Sequence, residues 1–160
     1  MASLPAAAAY VTMLIHKQDW DTLAAVLERL SSDDDGCGRS NLVRCLSSYN
    51  IPRGLARFCR HQDRLGFILE ALGEVLAIHE HNHDLIGLIQ TSLEVADLRY
   101  SCHDEDDEVI RLHEEALLSL NASDVSIQRK LTAWRRKYTN QLAQIYFDRA
   151  VRSRKGMCIF

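Results

Sequence analysis

A chain of 160 residues, 47% hydrophobic and 26% charged, is long enough to bury roughly 70% of its unfolded surface, so one core suffices without a metal or a disulfide. Seven Gly and two Pro against abundant Ala, Leu and Arg disfavour turn-rich sheets and disorder and predict an all-α fold. The net charge of −3 is unevenly divided: residues 125–160 hold nine Lys and Arg against Asp148 alone, a net of +8, which leaves −11 on residues 1–124.

Residues 4–16 and 19–31 read as a helical hairpin. Ser3 is placed to cap the first helix, Pro5 lies near its start, and the second carries Trp20, Leu23, Ala24, Leu27 and Leu30 at spacings of three and four. This N-terminal segment has no cationic leader region, and its apolar run falls short of the roughly 18 residues a membrane span requires. Turn residues and like charges at 31–38 predict a loop, followed by a short helix over 40–48 and a new element at Ile51-Pro52. These first 50 residues are read as an N-terminal helical cap.

From Asp63, the residues Leu65, Ile68, Leu69, Leu72, Val75 and Leu76 mark one amphipathic helix, and Leu85, Ile86, Leu88, Ile89, Leu93, Ala96 and Tyr100 mark the next. Asn82 and Asp84 place a turn between them, because a single helix across both would be about 40 residues, far beyond globular lengths. The acidic run Asp104 to Glu108 suits a helix N-terminus, where the backbone dipole favours negative charge. That helix is predicted to reach Leu120. Asp124 then caps a helix striped by Ile127, Leu131, Trp134 and Tyr138.

The sequence also repeats itself. Glu74-Val75-Leu76-Ala77-Ile78-His79-Glu80 aligns without a gap to Glu108-Val109-Ile110-Arg111-Leu112-His113-Glu114, an offset of 34 residues, and Leu142 to Asp148 continues the pattern in softer form. Ala143 and Phe147, with Ala150 after them, place a small residue four before an aromatic, and Val109, His113 and Ala116 fill the same places one repeat earlier. Leu93, Ala96, Asp97 and Tyr100 form a large, medium, small and aromatic set, partly echoed by Ile127, Leu131 and Trp134. In period and spacing, residues 57–153 resemble a degenerate tetratricopeptide array; the usual glycine of the first helix and the terminal proline are missing. The resemblance implies a solenoid of antiparallel helix pairs over 51–153 with a C-terminal tail at 154–160; an irregular helical bundle is the alternative fold.

It further implies a non-enzymatic adaptor that holds a peptide or partner helix in a groove lined by Glu94, Leu98, Ser101, Gln128, Thr132, Arg135 and Arg136. Fold-level resemblance alone does not establish such a role. The basic segment favours an acidic protein partner, and most of its aromatics are expected in the core, not on a nucleic-acid surface. The apolar tail Met157 to Phe160 suggests self-association or a continuing array, and it is one residue short of a prenylation box.

The competing chemical reading is a zinc metallohydrolase. His79-Glu80-His81-Asn82-His83 satisfies H-E-x-x-H, in which two His one helical turn apart bind zinc, Glu80 acts as base, and His103 or Glu94 would complete the site. That motif requires an unbroken helix, whereas a helix end is expected at His81 to Asp84. The expectation is therefore no catalytic residue, no metal and no cofactor. Five cysteines without a C-x-x-C pair fit reduced thiols in a cytoplasmic protein.

Overall fold

The structure, a computed structural model, describes residues 4–32, 42–46, 55–62, 64–102 and 106–157. All regular structure among them is helical, so the fold is all-α. Ser3, the 33–40 segment, Ile51-Pro52, Asp63 and His103 lie outside the described residues. The chain divides into two compact units, Met1–Asp84 and Leu85–Phe160. The first unit holds the expected N-terminal cap together with the helices that follow residue 50, Leu55–Gln62 packing on Trp20–Ser31, and the division falls in the turn at Asp84.

In the first unit, α1 (Leu4–Lys17) and α2 (Trp20–Ser31) form the expected hairpin. Gln18 makes its corner by adopting left-handed φ (56°), so that Gln18 N–H and Asp19 N–H reach back to Ile15 O and Leu14 O. The Asp19 carboxylate then accepts from Thr22 N–H at 3.3 Å and caps α2. A short α3 (42–46) buries Leu42, Val43, Cys45 and Leu46. α4 (Leu55–Gln62) brings Phe58 against Trp20 of α2, ring centres 6.4 Å apart, and Arg64 pairs with Glu28. α5 (Leu65–His81) buries Ile68, Ala71, Leu72 and Val75, the i, i+3, i+4, i+7 stripe of an amphipathic helix.

The second unit is built on α6 (Leu85–Ser101) and α7 (Asp106–Ala122). Their direction is antiparallel: Ile89 and Leu93 of α6 share a core with Ala116, Leu117 and Leu120 of α7, while Tyr100 packs at the other end with Val109 and Ile110. Asp124 caps α8 (Val125–Lys130) as expected, accepting from Ile127 N–H at 3.0 Å. The chain turns at Leu131 and runs on as α9 (Thr132–Met157), 26 residues or about 39 Å. α9 lies antiparallel to α7, since Leu131 and Tyr138 join the Leu120 end and Ile145 joins Val109 and Ile110.

Two sequence expectations fail on α9. The helix pair implied for the last repeat is instead one short and one long helix, because no Gly, Pro or left-handed residue interrupts 132–155. The third copy of the repeat also falls out of phase. Val75 and Val109 are each 1% exposed, whereas Ala143 is exposed and Phe147 is 64% exposed. Ile145 takes the buried place, two residues further on.

Candidate functional site

Unit two carries a polar cluster where α6 faces α9. Asp97 and Lys137 stand on the two helices and form a half-buried ion pair of 2.9 Å, their side chains 24% and 28% exposed. Gln141, one turn beyond Lys137, donates through Nε2 to the other Asp97 oxygen at 2.7 Å. Lys137 Nζ also donates to Tyr138 Oη at 2.8 Å and stands 4.0 Å from the centre of that ring. Glu94 lies one turn before Asp97 on α6. Burial pushes its carboxyl up to about 7; Lys137 opposes the shift and Asp97 adds to it. Such an arrangement takes up and releases one proton near neutral pH.

Tyr138 ties this cluster to His113 of α7. The two rings are 5.8 Å apart and tilted by 52°, and Trp134 stacks with the same tyrosine at 5.7 Å. His113 is fully buried, with Nδ1 2.8 Å from Val109 O, while Nε2 is buried without a hydrogen-bond partner. The short Nδ1 contact to a carbonyl, which can only accept, places an N–H on Nδ1.

The seven expected groove residues do not form one lining. Leu98 is 5% exposed and belongs to the core, which corrects its place in a groove: it falls on the face of α6 that packs inward. Ser101 and Arg135 are half-buried. Gln128 turns back on its own connection, donating to Ser123 O and Asn121 O at 2.8 and 3.0 Å, and Thr132 bonds Gln128 O and Arg129 O. Arg136 is exposed. Glu94 alone of the seven enters the polar cluster, whose other members, Asp97, Lys137, Tyr138, Gln141 and His113, were not singled out as a site. Their signal was a charge set inside an apolar stripe at Asp97 and again at Lys137.

The histidine motif has a different geometry from a zinc helix. His79 lies in the last turn of α5 with Nδ1 2.9 Å from the Asp84 carboxylate, whereas His83 stands outside the helix at φ 55°. His83 N–H and Asp84 N–H bond Glu80 O and His79 O, closing the helix end. The two His are thus not presented one turn apart on a helical face, and no group of three metal-binding side chains occurs among the described residues. No helix of the described chain is long and apolar enough to cross a membrane. No protein-family model matches the chain, and no curated protein or solved structure resembles it at a significant level.

Proposed function

We propose that this chain is a non-enzymatic protein-interaction module, with recognition carried by the second unit. The observation that supports this reading is apolar side chains left open beside a completed core: Leu118, Val125 and Phe147 are 67%, 62% and 64% exposed, although α7 and α9 bury Leu120 and Ile145 almost entirely. Large open side chains on rigid helices give a partner contact area at little ordering cost. The α6–α7 pair is the part most akin to a tetratricopeptide hairpin, and a cytoplasmic adaptor role remains the functional class that resemblance suggests. The groove reading narrows to its exposed members, Thr132 and Arg136. No described observation favours the metallohydrolase over this reading.

The test is crosslinking of the full chain in its native extract, followed by mass spectrometry. Discrete protein partners crosslinked to α7 or α9 are expected. A chain that crosslinks to no protein, or that turns over peptides in an activity lost on Glu80→Gln, defeats the proposal.

A further inference from the structure

We propose that the solvent face of α9 centred on Phe147 docks an acidic amphipathic helix of a partner protein; this rests on the interaction reading above and deepens it. Arg136, Asn140, Ala143, Phe147, Ala150 and Arg154 follow one another at alternating steps of four and three, so they form one stripe along α9, and all six are exposed. The stripe lies on the opposite side of the helix from Tyr138 and Ile145, which are buried against α7.

Its shape suits a helix. Alanine on either side of Phe147 lets a second backbone approach to about 8 Å, the close end of helix packing, with the phenyl ring inserted between ridges of the visitor. Arg136 and Arg154 bracket the apolar centre about 27 Å apart, the length of an 18-residue helix.

Charge selects the visitor. Two other cations of α9 are matched at home, Lys137 with Asp97 and Arg149 with Asp107 at 2.6 Å. Arg136, Arg154 and Lys155 have no carboxylate partner among the described residues. An incoming helix with Asp or Glu at both ends would complete them, and the fixed positive ends would speed its encounter. A second copy of this chain is a poorer match. The carboxylates exposed on α7 are already engaged, Glu108 and Glu115 by Arg111, Asp107 by Arg149 and Glu114 by the Tyr146 hydroxyl. A membrane is poorly matched as well, for one phenyl and two methyl groups offer little to an acyl layer.

The probe is a fluorescent, roughly 18-residue amphipathic peptide with Ala and Leu on one face and two Glu at each end, compared by anisotropy with a twin bearing Lys for Glu. The full chain is expected to bind the Glu peptide more tightly than the Lys peptide, and more weakly as salt rises. Phe147→Ser should weaken binding about tenfold or more with the melting temperature unchanged. Arg136→Glu with Arg154→Glu should reverse the preference toward the Lys peptide, a reversal that mere unfolding cannot produce.

Equal binding of both peptides, or unchanged binding by Phe147→Ser, overturns the proposal. So does a wild-type dimer in sedimentation that Phe147→Ser dissociates, or tighter binding to anionic vesicles than to the Glu peptide. The crosslinking experiment separates the two levels: partners retained in full by Phe147→Ser defeat the α9 face and leave the interaction module standing, whereas loss of all partners from the wild type defeats both.

Discussion

Glu94 shows what one buried carboxyl does to the energetics of a unit. Its pKa is pushed up to about 7 in the folded chain, chiefly by burial, against the ordinary 4.5 that the unfolded chain would show. Between these values the folded state holds a proton that the unfolded state has released, so stability contributed by Glu94 is present below pH 4.5 and is lost as pH rises through about 7. Discounted for partial exposure, that loss is about 2 kcal/mol. Glu94→Gln keeps the shape and removes the charge, so it should flatten the decline and make the protein more stable than wild type above neutrality. Denaturant titrations from pH 5 to pH 8 measure this; a decline of equal steepness in the Gln variant would assign it to another group. His113 poses a related problem, because its buried Nε2 gains no hydrogen-bond partner. Its tolerance must come from the ring contacts with Tyr138 and the Nδ1 bond to Val109 O.

At the scale of elements, the register of α7 and α9 separates two readings of one repeat. Val109 is closed in by Ile110, Ile145 and the half-buried Tyr100 and Leu142, so Val109→Glu should cost roughly 3–5 kcal/mol by burying an unpaired charge. Ala143, its counterpart in the alignment, is exposed, and Ala143→Glu should stay within about 0.5 kcal/mol of wild type. Comparable losses for the two variants by thermal melting would restore the 34-residue register on α9. The physical origin of the misreading is visible in the residues. Asn82 and Asp84 announced the turn after α5 because short polar side chains favour helix ends, and Asp124 announced α8 for the same reason. Leu131 belongs to the apolar stripe and carries no turn chemistry, so the break between α8 and α9 was hidden. Nor could the sequence pair Asp97 with Lys137 and Gln141, which lie 40 and 44 residues away and meet only because α6 and α9 both pack against α7. Periodicity reveals which face of a helix is buried; it does not say which other face it meets.

For the whole molecule, the opposed charges of the sequence become largely a private matter of the second unit. The acidic α6 and α7 supply Asp97 and Asp107 to Lys137 and Arg149 of the basic α9, so part of the +8 segment is neutralised within Leu85–Phe160. That distribution explains why reversing Arg135, Arg136 and Lys137 together would not be a clean surface test, since Lys137 is tied to Asp97 and Tyr138. It also leads to a prediction about autonomy. Both hydrophobic clusters of the second unit draw on α6, α7, α8 and α9 alone, and the ion pairs that join α9 to its neighbours begin and end inside the same unit. A fragment of residues 85–160 therefore carries its own core and its own charge balance, and it should fold by itself to a helical state that melts in one cooperative step. Its pairs are partly exposed and individually weak, so added salt should lower the midpoint only slightly. Circular dichroism and calorimetry decide the matter. Full helicity with a broad, non-cooperative transition would show that secondary structure survives without fixed packing, and the second unit would then have to borrow its stability from residues 1–84.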